Sequence, residues 1–332
     1  GMPKDRYAAY HAERAKAGVA LTMTAGSAAV SKDSPPVFNN VLAYRDDVVP
    51  WIQNLTDACH EHGAAVMIQL THLGRRTGWN KGDWLPSVSS SKHREPAHKA
   101  FPKLVEDWDI DRIINDFADS AERMKAGGMD GIELQVYGHL LDQFWSPLTN
   151  DLSGPYGADT LENRMRYPLE VFNAMRAVWP KDKPMSVRIS ATDWMGDEGV
   201  TPDEAVEIAK IFKEAGVDLV DVSAGQTTTS GKPVYGRMFQ TPFSDRIRNE
   251  AGIETMAVGN IYEADHANSI LMAGRADLVA VGRPHLSDPY WTLREGSNIG
   301  DRAATDWPKP YEPGRDQTWR LADREAEMVG NV

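Results

Sequence analysis

Short apolar runs alternate with amphipathic stretches along almost the whole of this chain. Seven runs rich in β-branched and other apolar residues are typical of strands, and the stretches between them follow the helical period. The runs cover residues 19–24, 64–70, 131–136, 185–190, 219–223, 255–259 and 278–282. Strands that alternate with helices in this way indicate a parallel sheet covered by helices. The pattern therefore predicts an α/β fold.

The signal that ends one helix and begins the next strand recurs three times. It consists of Ala-Gly, an aspartate and a strand-like run, and it lies at residues 126–131, 215–219 and 273–278. A glycine is a common helix stop, and aspartate suits the turn that follows it. Thr201 followed by Pro202 is a matching helix start, and Asp109 is a candidate cap for an earlier helix. We interpret the repeats as the βα units of one (β/α)8 TIM barrel.

A closed barrel of this type has eight strands, whereas the pattern supplies seven. The chain opens with a turn that leads into a helix, so we expect the first strand to lie upstream of Gly1. The alternative is a barrel that is completed in an unusual way. Residues 1–300 are predicted to form the barrel, and residues 301–332 a C-terminal extension that packs on it or on a partner.

Composition narrows the class of protein. The chain has 332 residues, of which 41% are hydrophobic, so it can bury a large core. Its 36 basic and 48 acidic residues give a net charge of −12, which argues against nucleic acid or an anionic membrane as a general partner. No apolar run approaches the length of a membrane span, and no signal-peptide pattern opens the chain.

Cys59 is the single cysteine of the sequence. One cysteine excludes a disulfide framework, a Cys-rich zinc site and a four-Cys iron–sulfur cluster within this chain. No other cluster has the spacing of a metal site, so no metal is predicted. We interpret Cys59 as a small core residue and expect a reducing, cytoplasmic location.

Polar residues and glycines stand at the ends of four of the predicted strands. They are Gln69, Arg188, Gly259-Asn260 and Gly282-Arg283. In a barrel of parallel strands these ends converge on one face, where the chemistry of such folds takes place. The two glycine-bearing ends match the position of a barrel's phosphate site, and the amide and guanidinium suit a flat, electron-accepting ring. Flavin mononucleotide (FMN) combines these features.

Each of these residues also has a plainer interpretation. Arg188 can form an internal ion pair with a barrel carboxylate such as Asp221 or Glu133. The glycines can form ordinary turns between strand and helix.

Two long insertions follow predicted strands, at residues 71–108 and 224–243. Loops of this length in compact domains are commonly functional or disordered. The first is rich in arginine, lysine and tryptophan, and its basic residues suit a phosphorylated handle such as coenzyme A. The second carries Tyr235 and Arg237, which are candidate substrate-binding residues; the alternative is a solvated loop.

Five segments resemble the old yellow enzyme family of FMN-dependent oxidoreductases. The segments are residues 68–75 (Ile-Gln-Leu-Thr-His-Leu-Gly-Arg), 141–150 (Leu-Asp-Gln-Phe-Trp-Ser-Pro-Leu-Thr-Asn), 161–164 (Leu-Glu-Asn-Arg), 187–190 (Val-Arg-Ile-Ser) and 281–284 (Val-Gly-Arg-Pro). They span nearly the whole chain in the family's order. Residues 187–293 resemble the reductase half of salicylyl-CoA and aminobenzoyl-CoA hydroxylases, and residues 1–146 resemble the N-methylproline and trimethylamine demethylase branch.

The resemblance implies a role for each residue at the strand ends. Gln69 would bind the pyrimidine edge of FMN, and Arg188 would lie beside the flavin N1 and O2, where a cation stabilises the reduced ring. Gly26 would place a backbone amide near the ring system. The phosphate would be held by Gly259, Asn260, Gly282 and Arg283. His72 is either a substrate-binding residue or a loop anchor.

The substrate side departs from the family pattern. The family places a histidine and a histidine or asparagine three residues apart after the Ile-Glu-Leu strand, with a tyrosine two residues further on. Here the segment 132–141 is one residue shorter: Gln135 replaces the first histidine, or Tyr137 replaces the second and His139 the tyrosine. His139 is a candidate proton donor at neutral pH, and Tyr137 a hydroxyl that orients substrate. The alternative for both is packing at a helix start.

The leading functional hypothesis is that NAD(P)H reduces FMN, which then reduces an electron-poor conjugated substrate such as an enone or an aryl-CoA. A second hypothesis is oxidation of an N-methyl amine, with electrons passing to oxygen or to a separate protein. A flavin-free barrel lyase and a non-catalytic domain of a larger enzyme are further alternatives. We expect a small-molecule partner, either a coenzyme A thioester or an N-methyl amine. The chain is also expected to be a homo-oligomer or part of a larger multidomain enzyme.

Overall fold

The computed structural model describes residues 1–34, 39–77, 85–95, 99, 101–302 and 306–330. Its strands are β1 (Leu21–Ala29), β2 (Ala65–Thr71), β3 (Val88–Ser89), β4 (Lys103–Leu104), β5 (Gly131–Gln135), β6 (Met185–Ser190), β7 (Leu219–Ser223), β8 (Thr255–Val258) and β9 (Leu278–Ala280). Its α-helices are α1 (Asp5–Lys16), α2 (Val49–His60), α3 (Asp107–Ala126), α4 (Leu140–Trp145), α5 (Leu161–Val178), α6 (Pro202–Glu214), α7 (Thr241–Arg246), α8 (Ala264–Met272), α9 (Arg283–Ser287), α10 (Trp291–Asn298) and α11 (Glu312–Gly330).

Seven strands form one parallel sheet in the order β1-β2-β5-β6-β7-β8-β9. Each corresponds to one predicted run, and β6 and β7 match the prediction residue by residue. β1 runs five residues further than predicted, because a register irregularity between Thr24 and Ala28 lets it continue past Gly26. The predicted α/β fold with a parallel sheet is confirmed.

Helix α1 contacts α9 and the residue that precedes α10, near the other end of the sheet. Arg14 of α1 donates from Nε and a terminal nitrogen to the backbone oxygen of His285, at 3.0 and 2.5 Å. The Tyr290 hydroxyl donates to the Glu13 carboxylate on the same helix. These contacts draw the two ends of the curved sheet together, so the carboxyl ends of its strands face a common mouth.

The two faces of the strands differ in character. Alternate residues such as Ile68, Ile132 and Val187 are fully buried in the apolar core. Because side chains alternate in direction along a strand, the residues between them project to the opposite face. Those residues are polar near the mouth, and they include Gln69 and Glu133. The sheet therefore encloses a polar layer that opens at the strand ends.

The insertion at 71–108 contains regular structure that the sequence pattern did not predict. β3 and β4 pair in parallel, and Gln143 of α4 ties this region down. Its side-chain oxygen accepts from the backbone N–H of Arg75 at 3.1 Å and from the Ser89 hydroxyl at 2.8 Å. Three of the lysine and tryptophan residues of this insertion, Trp79, Lys81 and Trp84, lie outside the described residues.

Two helix starts test the predicted caps. Thr201 accepts from the backbone N–H of Glu204 at 3.2 Å at the start of α6, as predicted. At the start of α3, Asp109 takes part in the cap as predicted, but as the N3 residue of a capping box whose N-cap is Glu106: its carboxylate accepts from the Glu106 backbone N–H at 2.9 Å.

The C-terminal helix α11 contacts the rest of the chain through Trp319, which donates to the Ser297 hydroxyl of α10 at 3.2 Å. Leu321 and Met328 of the same helix are exposed. The division at residue 300 stays a prediction. Cys59 is buried in α2, as predicted, and burial raises the pKa of its thiol to about 11. No helix among the described residues is both long enough and apolar enough to cross a membrane.

Candidate functional site at the carboxyl ends of the strands

The carboxyl ends of β2, β5, β6 and β7 lie side by side at the mouth. The register places Gln69 opposite Glu133, Gln135 opposite Arg188, and Arg188 opposite Asp221. These residues occupy equivalent positions of the pleat, so they project from the same face. Parallel pairing thus brings together three of the predicted site residues, Gln69, Gln135 and Arg188.

Arg188 forms the predicted internal ion pair and still belongs to the mouth. Its Nε lies 3.3 Å from Asp221 Oδ2, and two of its nitrogens donate to the Ser223 hydroxyl at 3.0 and 3.1 Å. Its side chain is 22% exposed, and its guanidinium carbon lies 5.1 Å from the centre of the Tyr137 ring. Its Nη1 donates to no protein atom among the described residues. Arg188 is therefore a fixed cation with one nitrogen left for a ligand.

Gln69 is oriented by a buried carboxyl group. Its Nε2 donates to Glu133 Oε1 at 2.6 Å, and the Ser186 hydroxyl donates to the other oxygen of Glu133 at 2.8 Å. Burial, together with the nearby Asp221, raises the pKa of Glu133 to about 8. Because its amide nitrogen is engaged, Gln69 has its carbonyl oxygen left to accept a hydrogen bond from a ligand.

The ends of β8 and β9 contain the turns predicted to hold a phosphate. Gly259 and Asn260 have φ angles of +115° and +54°, in the region that favours glycine. At Gly282 an added Cβ would meet no atom within 4 Å, so the backbone there faces open space. Arg283 is exposed, and it forms no ion pair within the part of the chain that the structure describes. Open backbone and a nearby cation suit an anionic group.

Gln240 supports this end of the mouth, and sequence reasoning missed it. Its side-chain oxygen accepts from the backbone N–H of Ala224 at 2.7 Å, and its nitrogen donates to the Val258 carbonyl at 2.8 Å. The buried amide therefore connects the ends of β7 and β8. It also explains Gly259, where a Cβ would approach the Gln240 nitrogen to 2.6 Å. A single glutamine inside a long loop carries no sequence pattern that could have revealed this role.

The loop at 224–243 is fixed by Asn260, whose side-chain nitrogen donates to the Gly236 carbonyl at 2.8 Å. Tyr235 is 72% exposed but lines the cavity described below. Arg237 is exposed and is not among the residues that line the cavity. The structure therefore places Tyr235 at the cavity and Arg237 away from it, and the substrate-binding roles of both residues stay predictions.

Gly26 lies in the irregular part of β1, where the pairing with β2 shifts between Thr24 and Ala28. Its predicted role beside the flavin stays a prediction.

His72 makes the contacts of a loop anchor, the second of its two predicted roles, and its role in substrate binding stays a prediction. Its Nε2 contacts Asp33 Oδ1 at 3.1 Å, and its Nδ1 accepts from the Gly74 backbone N–H at 3.0 Å. Arg112 in turn donates to both oxygens of Asp33. Both ring nitrogens of His72 are engaged and the residue is buried, so neither is left for a substrate.

Gln135 and Tyr137 lie at the end of β5 and just beyond it. The Gln135 side-chain oxygen is buried and accepts no hydrogen bond from any described residue. The Tyr137 hydroxyl donates to the Ala224 carbonyl at 3.4 Å, and burial raises its pKa to about 12. Tyr137 is therefore a neutral hydroxyl that lies at the mouth.

His139, the candidate proton donor, is buried at the start of α4. Its Nδ1 lies 2.8 Å from the Thr71 hydroxyl. Burial, followed by the charges of Arg76 and Arg188, lowers the pKa of His139 to about 3, which favours the neutral imidazole at pH 7. Its role as proton donor stays a prediction.

A cavity of about 290 Å³ opens beside Gly138, which follows Tyr137, beyond the ends of β5 and β7. Its wall combines two arginines with three carboxyl groups and two aromatic rings. Among the lining residues are Arg75, Arg76, Glu95, Asp142, Asp193, Trp194 and Tyr235. The volume lies near the lower end of the roughly 300–1,000 Å³ typical of ligand pockets. The site therefore has two parts, a polar mouth at the strand ends and a small charged cavity next to it.

The fold and the mouth define an α/β barrel oxidoreductase with a nucleotide-type cofactor site. Residues 1–301 match the profile of the NADH:flavin oxidoreductase / NADH oxidase family. The chain belongs to this family. The predicted old yellow enzyme family and TIM-barrel fold class are thereby confirmed, as is FMN, with NAD(P)H as the reductant, at the level of the family.

Two curated relatives and one solved structure illustrate the similarity. The chain is 54% identical over 299 residues to the probable N-methylproline demethylase of Rhizobium meliloti (strain 1021), covering 87% of this chain and 44% of that protein. It is 40% identical over 277 residues to the NADPH dehydrogenase of Geobacillus thermodenitrificans (strain NG80-2), covering 83% and 77%. A 2-naphthoyl-CoA reductase structure shares the fold with a TM-score of 0.81 at 23% identity, covering 89% and 47%. The chain thus spans less than half of the demethylase.

The residues at the mouth fit FMN. A ring edge that carries both hydrogen-bond donors and acceptors would meet the Gln69 carbonyl and Nη1 of Arg188, which make no hydrogen bond to a described protein atom. A phosphate would meet the open backbone at Gly282 and the charge of Arg283. The roles of these four residues as cofactor ligands stay predictions. In the structure, each of them has an atom that is available to a ligand.

Proposed function

We propose that this chain is the FMN-containing unit of an oxidoreductase that demethylates a small N-methyl amino acid. The observation that carries the proposal is the 54% identity to a probable N-methylproline demethylase over 87% of this chain. Two features of the site support it. The pair of side chains with which the family grips a carbonyl oxygen is replaced by the segment around Tyr137, and the cavity beside Tyr137 carries charges of both signs.

Bound FMN would supply a two-electron acceptor for the hydride that leaves the N-methyl carbon. The substrate thereby becomes an iminium ion, and water converts it to the secondary amine, formaldehyde and a proton. Arg188 provides a fixed positive charge at the mouth, where such charge stabilises a reduced, anionic acceptor. Gln69, held by Glu133, provides a hydrogen-bond acceptor in a defined orientation.

The substrate side contributes orientation rather than a strong acid. Tyr137 and His139 are both neutral at pH 7, because burial raises the pKa of the first and lowers that of the second. An amine needs its lone pair free before hydride can leave the neighbouring carbon, so a substrate that binds as an ammonium must first lose its proton to solvent or to a cavity carboxylate such as Asp193. Tyr137 has a hydroxyl that can orient the amine without protonating it.

The proposal is tested by anaerobic reduction of the FMN-loaded protein. N-methyl-L-proline is expected to bleach the flavin absorbance and to yield one formaldehyde per flavin reduced. NADPH is added to a parallel sample as a comparison. If NADPH bleaches the flavin and N-methyl-L-proline leaves it oxidised, the demethylase proposal is wrong.

A second candidate is NADPH-dependent reduction of a conjugated substrate, which was the leading hypothesis from the sequence. The 40% identity to an NADPH dehydrogenase, over 77% of that relative, favours it. Reoxidation of NADPH-reduced flavin by an enone such as 2-cyclohexenone, under anaerobic conditions, distinguishes this candidate. The predicted oligomeric state and the link to a larger enzyme stay predictions.

A further inference from the structure

We infer that the cavity beside Tyr137 recognises a zwitterion, with the carboxylate of the ligand at Arg75 and Arg76 and its ammonium group on the side of Asp142 and Asp193. This inference rests on the proposed function, because it names the chemical class of substrate for the same site. It goes further by assigning each charge of the ligand to a part of the cavity wall.

Arg75 is a buried cation without a carboxylate in contact. It is 8% exposed, and its terminal nitrogen donates to the Thr227 backbone oxygen at 3.2 Å. No carboxylate lies within 4 Å of its guanidinium among the described residues. Burial lowers its pKa, although Asp142 and other carboxylates nearby oppose this effect. A buried charge without a close counter-ion is costly, so an anionic ligand group would stabilise it.

Arg76 extends the same positive region. Its guanidinium donates to the backbone oxygen of Gln226 at 3.3 Å and also to the side-chain oxygen of that residue. Both partners are neutral and do not offset the positive charge of Arg76, which lines the cavity. Two adjacent arginines with neutral partners form a site suited to a carboxylate.

The same cavity wall also carries two buried aspartates. Asp142 and Asp193 are each 1% exposed, and Oδ1 of each has no hydrogen-bond donor within the described ranges. Burial and the charge of Asp193 raise the pKa of Asp142 well above its usual value. An ammonium group would offset that repulsion and supply the missing donors.

Thr227 contacts both a cation and a carboxyl group of the cavity wall. Its backbone oxygen accepts from Arg75, whereas its hydroxyl donates to Asp142 Oδ2 at 2.8 Å. Arg75 and Asp142 thus each have Thr227 as a neutral partner. A ligand with one anionic and one cationic group is complementary to both kinds of charged group, whereas a simple amine or a simple acid would satisfy only one.

The rest of the wall suits a small apolar ring. Trp194 and Tyr235 both line the cavity, and the Trp194 indole nitrogen is buried with no acceptor among the described residues. Aromatic faces stabilise alkylated ammonium groups by cation–π contact. The cavity of about 290 Å³ excludes a large ligand from lying wholly inside it.

The test compares three ligands with the same five-membered ring: L-proline, pyrrolidine and cyclopentanecarboxylate. None has an N-methyl group, so binding to the FMN-loaded chain can be measured by calorimetry without demethylation. We expect L-proline to bind at least about tenfold more tightly than either single-charge ligand. Equal dissociation constants for L-proline and pyrrolidine, or for L-proline and cyclopentanecarboxylate, would overturn the inference.

Variants assign the carboxylate to its partners. Arg75→Gln and Arg76→Gln are each expected to lower the preference for L-proline over pyrrolidine about tenfold while leaving pyrrolidine binding unchanged. Arg76 is partly exposed, so its variant keeps the test valid if Arg75→Gln fails to fold. Arg94→Gln, an exposed site in the same insertion, is the matched control. A preference that stays at the wild-type value in both cavity variants that fold contradicts the assignment.

The outcome is independent of the demethylation test. If N-methylpyrrolidine bleaches the flavin with the same KM as N-methyl-L-proline, the proposed function stands and the zwitterion inference fails. If neither amine bleaches the flavin but L-proline keeps its preference, the cavity assignment stands and the demethylase proposal fails.

Discussion

The substitution Glu133→Gln tests whether the buried Glu133 carboxyl group is protonated at neutral pH. Glu133 is completely buried, and it accepts hydrogen bonds from Gln69 at 2.6 Å and from Ser186 at 2.8 Å. Burial, together with Asp221, raises its pKa from an ordinary 4.5 to about 8. Glutamine has the shape and hydrogen-bonding groups of a protonated glutamic acid, so the substitution imitates that state at every pH.

The sign of the effect follows from proton linkage. The pKa is raised in the folded protein, so between pH 4.5 and about pH 8 the folded state holds a proton that the unfolded state has lost. The Glu133 contribution to stability is therefore fully present below pH 4.5 and is lost as the pH rises towards 8. In this window the loss is about 1.4 kcal/mol per pH unit. The glutamine variant has no such loss.

The assay is urea unfolding of both proteins across this window, followed by comparison of the two free energies at each pH. Buried histidines titrate with the opposite slope below pH 6.5: burial lowers the pKa of His11 and His285 to about 4, so they lose stabilising effect as the pH falls. They are present in both proteins and cancel in the difference. Because Glu133 and the neighbouring Asp221 titrate together, the substitution also changes the titration of Asp221, so from about pH 5.5 to 7.5 we expect the difference to shift in favour of the variant by at most about 3 kcal/mol. Parallel curves would refute the reasoning, because Glu133 would then be ionised in the folded protein.

Three further predictions address the mouth and its supports. Gly259→Ala adds a Cβ at φ +115° and against the buried Gln240 amide, so it should lower the free energy of unfolding by about 1–3 kcal/mol and weaken FMN retention. Gly216→Ala, at φ +91° and facing open space, is the control for backbone strain alone. Equal losses of stability in the two variants would contradict the proposed clash. Arg188→Gln removes the fixed cation and should lower the flavin midpoint potential by tens of millivolts in a dye-equilibration titration, since about 1.4 kcal/mol corresponds to about 30 mV for two electrons. His72→Ala removes the side-chain interaction with Asp33 and should lower the free energy of unfolding in urea by about 1–3 kcal/mol. The KM for N-methyl-L-proline is expected to stay at the wild-type value. A raised KM would show that His72 belongs to the substrate site.

The sequence was sufficient for the sheet because local periodicity encodes it. Each of the seven runs combines apolar residues with a glycine or acidic turn before it, and each became a strand in the predicted order. The meeting of Gln69 and Arg188 followed from the same reasoning, since parallel strands share one carboxyl edge. Periodicity alone therefore locates the strands and their ends.

The contacts that fix the site are long-range and side-chain specific, so no periodicity reveals them. Gln240 connects two strand ends from a loop without a repeating pattern, and His72 pairs with Asp33, 39 residues away. The neutral state of His139 depends on burial and on Arg76, which are properties of the folded chain. The family resemblance located these segments but did not supply their partners.

Tyr137 is the residue at which the two parts of the site meet. Its ring lies 5.1 Å from the Arg188 guanidinium on the mouth side. Burial has the largest effect on its pKa, and the remaining influences come from both parts: Arg188 and Arg76 lower the pKa, whereas Asp142 raises it. A neutral phenol between a cation for the reduced acceptor and a charged cavity for the substrate keeps the two sets of charges from pairing with each other. If the proposed N-methyl amino acid is the substrate, these electrostatics account for a tyrosine in the segment where the family places its carbonyl-gripping pair.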